Sequence, residues 1–143
     1  MKYTVETIIE KPLDQVIELY NNPTYYRDWM PGIISHTITS GNKREQGTKS
    51  VFKFQMNGKN FNIEETIIKN RNTEIVSQFV ANGTVNIQCT LFSETSNGNT
   101  LYQVNESFQL KGFMKIIGFL MPGSFKKQTE QFVQAFKQYA ENQ

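Results

Sequence analysis

Four side chains in this sequence have the chemistry to move protons or to anchor a polar ligand. Glu65 and Glu106 each interrupt a strand-like run whose alternate residues are otherwise mostly apolar. Carboxylates are rarely buried without a partner, and a desolvated carboxyl group has a raised pKa that suits a general acid. His36, the single histidine, and Tyr102, four residues before Glu106, can transfer or donate a proton. These four residues are the candidate catalytic groups.

Each candidate also has a structural interpretation. Glu65 and Glu106 would be unremarkable at a sheet edge, in a bulge, or on the outer face after a one-residue shift of register. A lone histidine such as His36 is more often structural or exposed, and Tyr102 could simply pack with its hydroxyl bonded to the backbone. The functional alternative is a set of polar anchors in an apolar pocket, which fix the orientation of a ligand.

The sequence lacks the usual signatures of nucleophilic, metal or cofactor chemistry. Cys89 is the single cysteine, which excludes an internal disulfide and a multi-cysteine zinc site, and no metal-ligand spacing surrounds His36. There is no G-x-S-x-G motif, no P-loop and no G-x-G-x-x-G motif. We expect no metal and no cofactor, and we expect Cys89 to be a buried, inert thiol. Whether the protein is an enzyme stays open.

The bulk composition is that of a globular chain. With 143 residues, 38% hydrophobic content, 20% charged residues and no linker or repeat, the sequence predicts a single domain over residues 1–143. The net charge is +2, and the only basic pairs are Lys43-Arg44 and Lys126-Lys127, so we expect no nucleic-acid partner. The N-terminal residues read as a strand and not as a secretory signal, which predicts a cytoplasmic protein.

Periodicity and turn residues predict the order of the elements. A strand over 2–10 precedes a helix from Pro12 to Tyr20 and a short helix from a Thr24 cap to Trp29. Six strands follow at about 33–40, 47–56, 60–69, 73–82, 84–95 and 100–110. Asn57-Gly58, between two of these runs, predicts a type I′ hairpin. A final helix, capped by Ser124, carries a stripe of Phe125, Thr129, Phe132, Phe136 and Tyr139.

Alternation also selects the strand faces that we expect to point toward the final helix. In strand order these are Ile34, His36 and Ile38; Phe52, Phe54 and Met56; Phe61, Ile63, Glu65 and Ile67; Ile75, Ser77 and Phe79; Val85, Ile87, Cys89 and Leu91; and Tyr102, Val104, Glu106, Phe108 and Leu110.

With these features in this order, the sequence resembles the SRPBCC superfamily, which includes START domains, birch-pollen-allergen-like proteins and polyketide cyclase/dehydrase-like proteins. The resemblance covers nearly the whole chain. It is carried by Ile8-Ile9-Glu10-Lys11-Pro12 leading into Val16, by Asn22-Pro23 followed by Trp29-Met30-Pro31-Gly32, by Gly47 at a strand start, by Glu65 after the hairpin, and by Gly112 before an apolar stretch.

The resemblance implies an α+β helix-grip fold. In that fold a curved seven-stranded antiparallel sheet wraps around the long C-terminal helix, and two short helices lie between strands 1 and 2. A cavity separates the sheet from the helix, and no universal catalytic signature accompanies it. The cavity residues predicted here are Trp29, Met30, Phe52, Phe54, Met56, Phe61, Ile63, Phe79, Ile87, Tyr102, Phe108, Phe113, Ile117, Leu120, Phe125, Phe132 and Phe136.

The apolar stretch GFMKIIGFLMPGSF, residues 112–125, has three possible roles: membrane contact, core packing or a cavity wall. Its nine-residue apolar part, 113–121, is far shorter than the ~20 residues that span a bilayer, and Lys115 alone gives it no polar face. The resemblance places it with Trp29 and Met30 at the cavity entrance. Its glycines predict a mobile gate.

Three functions are compatible with these features. The first is a carrier or sensor that binds a small hydrophobic or amphipathic molecule, lipid-like or polyketide-like, without spanning a membrane. The second is a cyclase or dehydratase that uses the four candidate groups as acids and bases. The third is a protein-interaction domain like the chaperone-activating branch of the same fold, although nothing in the sequence identifies a protein partner. We favour the first.

Overall fold

The structure, a computed structural model, describes residues 1–112 and 122–143, and within them the predicted order of elements is confirmed. The elements are β1 (Lys2–Ile9), α1 (Leu13–Tyr20), a 3-10 turn (Pro23–Tyr25), α2 (Tyr26–Trp29), β2 (Ile33–Ser40), β3 (Lys49–Met56), β4 (Lys59–Asn70), β5 (Glu74–Ala81), β6 (Thr84–Glu94), β7 (Thr100–Leu110) and α3 (Pro122–Glu141). This is the helix-grip architecture that the resemblance implies.

The strands form one antiparallel sheet in the order β1-β7-β6-β5-β4-β3-β2. Successive strands from β2 to β7 are neighbours, and β1 closes the far edge against β7. The predicted hairpin between β3 and β4 is confirmed, because Met56 pairs with Lys59 and the two loop residues have φ of 52° at Asn57 and 75° at Gly58. Positive φ at both central positions is the signature of the type I′ turn.

Helix α3 packs tightly against the sheet only over its C-terminal half. Val133, Phe136 and Ala140 are at most 1% exposed there. The ring of Phe136 lies 5.0 Å from that of Trp29 and 5.5 Å from that of Tyr102, so it joins the short helices to β7. The core is therefore concentrated at one end of the grip, and the other end of α3 is free to border a cavity.

The inward face of β6 is the opposite of the one predicted. Asn86, Thr90 and Phe92 are buried at 8%, 1% and 4% exposure, whereas Ile87 and Cys89 belong to the other face of the strand. Residues directly opposite on paired strands share a face, and Gln88 pairs with inward-facing Glu106. Cross-strand pairing thus overrides the apolar pattern, and Cys89 is half-buried on the outer side instead of lying in the core.

Strand β2 departs from simple alternation because it is bulged. Its pairing with β3 shifts between Ile33 and Ser35 and again between Ile38 and Ser40. His36 lies opposite buried Phe52, but Ile34 and Ile38 are 42% and 39% exposed at this edge of the sheet. The first shift displaces Ile34 from the alternation. Ile38 stays in register with His36, because it pairs with buried Ser50, and it is exposed because β2 is an edge strand of the sheet.

Two predicted helix caps are wrong. The side chain of Asn22, and not that of Thr24, caps the first short element, because its Oδ1 accepts from the backbone N–H of Thr24 at 3.1 Å. Helix α3 begins at Pro122, so Ser124 lies in its first turn and not at the cap. Proline is favoured in a first turn because its missing N–H would have no partner there.

In the part of the chain that the structure describes, no helix is both long and apolar enough to cross a membrane. The predicted gate, residues 113–121, lies outside the described residues.

The turn at Gly32 connects α2 to β2 and provides a test of the fold. Gly32 has φ of +75°, and a Cβ there would lie 2.7 Å from the carbonyl oxygen of Gln55. Gly47 has a similar φ of +87° but open space around it. Left-handed backbone costs a residue with a Cβ about 1–2 kcal/mol, and only Gly32 adds a steric clash.

We therefore expect Gly47→Ala to lower the free energy of unfolding by about 1–2 kcal/mol, and Gly32→Ala to lower it at least twice as much. Chemical denaturation of both variants measures the difference. Equal losses would show that the contact with Gln55 relaxes at no cost.

Candidate ligand cavity

A cavity of about 390 Å³ lies between the concave face of the sheet and the N-terminal half of α3. Most of its wall is apolar or aromatic, and polar side chains contribute the rest. Its described lining consists of Tyr20, Tyr26, Trp29, Met30, Arg44, Phe52, Phe54, Met56, Phe61, Ile63, Glu65, Phe79, Ala81, Asn82, Thr84, Asn86, Gln88, Tyr102, Glu106, Phe108, Phe125, Gln128, Thr129 and Phe132.

The predicted cavity residues fall into three groups. Those that the structure places in the lining are Trp29, Met30, Phe52, Phe54, Met56, Phe61, Ile63, Phe79, Tyr102, Phe108, Phe125 and Phe132. Ile87 is not in the lining, because β6 turns its other face inward, and Phe136 is fully buried in the core. Phe113, Ile117 and Leu120 lie outside the described residues.

Glu65 is a buried carboxylate in the middle of the sheet, at 4% exposure. Ser77 Oγ donates to Glu65 Oε2 at 2.8 Å, and Ser50 Oγ lies 3.4 Å from Oε1. Ser50 is directly opposite Glu65 on β3, and Ser77 comes from β5 on the other side. Glu65 is therefore neither at an edge nor in a bulge, and each neighbouring strand supplies it with a hydroxyl group.

Arg44, from the loop between β2 and β3, is the cation that balances Glu65. Its Nη1 lies 3.4 Å from both carboxylate oxygens, and its side chain is only 9% exposed. Nε donates to Asn21 Oδ1 at 3.2 Å, and Asn70 Nδ2 donates to the Arg44 carbonyl at 2.8 Å. The guanidinium also lies over the ring of Tyr20, 6.0 Å from its centroid, within range of a cation–π contact.

Sequence reasoning missed Arg44 as a site residue. It lies in a polar loop beside Lys43, where a basic pair is normally solvent-exposed, and Lys43 is indeed exposed. The sequence offered one indication of such a residue, because a buried carboxylate is normally paired with a cation. That pairing predicts that a partner exists but does not say which of the basic residues supplies it.

Glu106 is the second buried carboxylate, also at 4% exposure, and its partners leave it incompletely satisfied. Gln88 Nε2 donates to Oε1 at 2.8 Å, and Thr129 Oγ1 lies 3.5 Å from the same oxygen. Oε2 is buried and has no hydrogen-bond partner among the described residues. Burial raises the pKa of Glu106, and hydrogen bonds from neighbouring amide and hydroxyl groups offset part of that rise.

A row of polar side chains connects the two carboxylates along the sheet. Gln88 pairs with Glu106 on one side and with Ser77 on the other, and Ser77 donates to Glu65. Glu106 and Glu65 are three strands apart in the sheet, so their backbones are separated by roughly 14 Å. The two carboxylates therefore mark two separate polar regions of one cavity.

The other two candidates occupy different surroundings. Tyr102 lines the cavity and stacks on Phe92 with ring centroids 5.1 Å apart, and burial raises its pKa well above the usual value. His36 packs against Phe52 at 4.6 Å and Tyr26 at 5.1 Å, outside the cavity lining. Burial lowers the pKa of His36, which favours its neutral form. The four candidates do not meet at one point.

Within residues 1–112 and 122–143, no three His, Cys, Asp or Glu side chains are grouped as metal ligands. Cys89 lies on the outer side of the sheet, and burial raises the pKa of its thiol. A raised thiol pKa lowers the thiolate fraction and hence the nucleophilicity of Cys89 at neutral pH.

The buried ion pair supports a first prediction for this site. Removing one partner of a buried pair leaves an uncompensated charge and costs about 3–5 kcal/mol, whereas removing both can be much milder. We expect Arg44→Met to lower the free energy of unfolding by about 3 kcal/mol, and the double variant with Glu65→Gln to lose no more than that single variant.

Lys43→Met, at the exposed neighbouring position, is the matched control and should change stability little. Urea denaturation of the four proteins gives the comparison. If Arg44→Met is as mild as Lys43→Met, the ion pair does not stabilise the fold.

Glu106 supports a prediction about pH. Its folded-state pKa is raised, so ionisation destabilises the folded protein as pH rises through and above the unfolded-state value near 4.5. Glutamine is isosteric with the protonated acid and carries no charge. We expect Glu106→Gln to melt at a higher temperature than wild type at pH 7, and the difference to vanish toward pH 4.

Thermal melts between pH 4 and pH 8 check this expectation, with Glu64→Gln on the exposed face of β4 as the control. A wild-type advantage at pH 7, or a difference that does not depend on pH, would contradict it.

No protein-family model matches the sequence, and no curated protein matches it. Solved structures do match it over almost its whole length. Ara h 8.0201 aligns with a TM-score of 0.82 at 14% identity, over 100% of this chain and 99% of the other. Ginseng major latex-like protein 151 from Panax ginseng aligns with a TM-score of 0.75 at 12% identity, over 98% and 97% of the two chains.

An aromatase/cyclase, ZhuI from Streptomyces sp. R1128, aligns with a TM-score of 0.77 at 12% identity, over 99% of this chain and 93% of the other. The sequence identities are low, but each alignment covers nearly all of both chains. They show that the chain shares the helix-grip fold of these plant and bacterial proteins.

Proposed function

We propose that this protein binds a small hydrophobic or amphipathic molecule, lipid-like or polyketide-like, in the cavity and acts as a carrier or sensor. The observation that supports this most directly is an interior space of about 390 Å³ that is walled mainly by aromatic and aliphatic side chains. Ligand pockets are typically concave and mostly apolar, with a few polar groups that set orientation. Glu106, with an unpartnered carboxylate oxygen, is such a group.

The aromatic wall of this space also supports a ligand. An apolar molecule packed against Phe52, Phe79 and Phe108 would gain dispersion contacts there and remove apolar surface from water. One of the similar structures is named as an aromatase/cyclase. Together with the aromatic cavity wall, this likeness supports an aromatic ligand.

A cyclase or dehydratase role has less support. Acid/base catalysis needs a donor and an acceptor within hydrogen-bond reach of the same reacting atoms. His36 is not in the cavity lining, Glu65 is matched by Arg44, and Glu106 is three strands from Glu65. Binding without chemistry uses the same groups as anchors and does not require them to converge.

We place the carrier or sensor in the cytoplasm, with no nucleic-acid partner.

Filling the cavity tests this proposal. Ala81 lines the cavity beside the β5–β6 turn, and Trp at this position would occupy ligand space without removing a core side chain. We expect a neutral apolar fluorophore such as N-phenyl-1-naphthylamine to bind the wild type saturably at one site. Ala81→Trp should weaken that binding at least tenfold.

Gln109→Trp, at an exposed position on β7, adds the same ring outside the cavity and should bind like wild type. Circular dichroism and melting temperature confirm that both variants are folded. The proposal fails if the wild type binds no probe, or if Ala81→Trp binds as tightly as Gln109→Trp.

A further inference from the structure

The charged side chains of the described cavity lining are Arg44, Glu65 and Glu106. Arg44 and Glu65 neutralise one another at 3.4 Å. Glu106 has amide and hydroxyl partners but no cation, so it carries the uncompensated charge of this lining when it is ionised. The cavity is therefore electrostatically asymmetric, with an acidic group at the β7 side.

Two buried acceptor atoms at this side lack donors. Glu106 Oε2 and Asn86 Oδ1 are both buried without a partner at normal hydrogen-bond distance among the described residues, although the Asn86 amide lies close enough to Glu106 to lower the pKa of its carboxyl group. Glu106 pairs with Gln88 on β6, and Asn86 is two residues before Gln88, so both side chains point to the same face on adjacent strands. Buried polar atoms are nearly always bonded in native proteins, so two neighbouring exceptions in one cavity wall call for an explanation.

The carboxyl group is held so that one oxygen is occupied and the other is available. Gln88 Nε2 and Thr129 Oγ1 both contact Oε1. Thr129 Oγ1 and Tyr3 Oη lie 2.7 Å apart, and each hydroxyl has one proton, so Thr129 donates to Glu106 Oε1 when Tyr3 donates to Thr129. Burial raises the pKa of Tyr3 to about 12, so it stays a phenol at neutral pH. This network fixes Glu106 before any ligand arrives, which reduces the entropic cost of binding.

We propose that the cavity selects amphipathic ligands whose polar end is a hydrogen-bond donor, an alcohol, a phenol or a protonated amine, seated on Glu106 Oε2 and Asn86 Oδ1. This inference rests on the proposed function and specifies its ligand class. An alcohol or a phenol would donate its one proton to one of the two vacant acceptors, whereas an ammonium group has enough N–H donors for both and would also compensate the charge of Glu106.

The same geometry disfavours ligands that end in a carboxylate. A carboxylate brings no donor to two acceptors, and it repels ionised Glu106 in surroundings of low dielectric constant. The one cation in the described lining, Arg44, is held by Glu65 and by Asn21. Free fatty acids are therefore poor candidates, although their chains suit the apolar wall.

The apolar body of the ligand would lie against aromatic rings next to this acceptor pair. Phe108 is two residues beyond Glu106 on the same strand face, and its ring lies 5.2 Å from that of Phe125 on α3. Both rings line the cavity. An aromatic ligand with a donor at one end therefore fits both parts of this region.

A series of naphthalenes that differ in one substituent tests the inference by calorimetry at pH 7. The four ligands are 2-naphthalenemethanol, 2-naphthylmethylamine, 2-naphthoate and 2-methylnaphthalene. We expect the alcohol and the amine to bind at least tenfold more tightly than the other two, with the amine tightest.

Glu106→Gln removes the charge and keeps the shape. It should abolish the advantage of the amine over the alcohol and leave 2-methylnaphthalene unchanged, while Glu64→Gln should behave as wild type throughout. Because Glu106→Gln is expected to be at least as stable as wild type at pH 7, a loss of amine binding in Glu106→Gln would not reflect unfolding.

The outcomes separate the two proposals. Equal affinity for all four ligands, or tighter binding of the naphthoate, would overturn the selection for donors and leave binding in the cavity intact. A preference for the amine that survives in Glu106→Gln would overturn the placement of the donor. No binding of any of the four, together with no binding of the neutral fluorophore, would count against both proposals.

Discussion

The buried ion pair between Arg44 and Glu65 connects the parts of the molecule that surround the cavity. Glu65 lies in β4 and takes hydroxyl donors from β3 and β5, while Arg44 reaches it from the loop after β2. Asn21, at the end of α1, accepts from both Arg44 and Asn70. Leaving either charge unpaired in this interior would be costly, so the strands, the loop and the helix end must assemble together.

This network lies in a grip that its own helix fills only in part. The C-terminal half of α3 supplies Val133, Phe136 and Ala140 to a closed core, whereas Phe125 and Phe132 border open space. The unfilled part is lined by the aromatic side of the sheet and by the polar row that runs from Glu65 to Glu106.

The two carboxylates have different environments although they are equally buried. Glu65 is compensated by a cation and two hydroxyl groups, and so it acts mainly as a structural element of the cavity floor. Glu106 retains an unpartnered oxygen and a pKa raised by burial. A buried oxygen without a partner does not stabilise the fold. A role in ligand binding therefore explains a glutamate at position 106 better than a role in stability does.

The sequence by itself determined the order and type of the elements, the type I′ hairpin at Asn57-Gly58, and the inward placement of Glu65 and Glu106, because these depend on periodicity and on local backbone preferences. Only the tertiary structure decided that β6 turns Asn86 and Gln88 inward, that Arg44 is the partner of Glu65, and that His36 stays outside the cavity. Each of these depends on a cross-strand pairing or a loop position. Such long-range contacts are not encoded in the pattern of any single segment. On β6 the polar residues face the cavity and the apolar residues face outward, which is the reverse of the pattern from which strand faces are predicted.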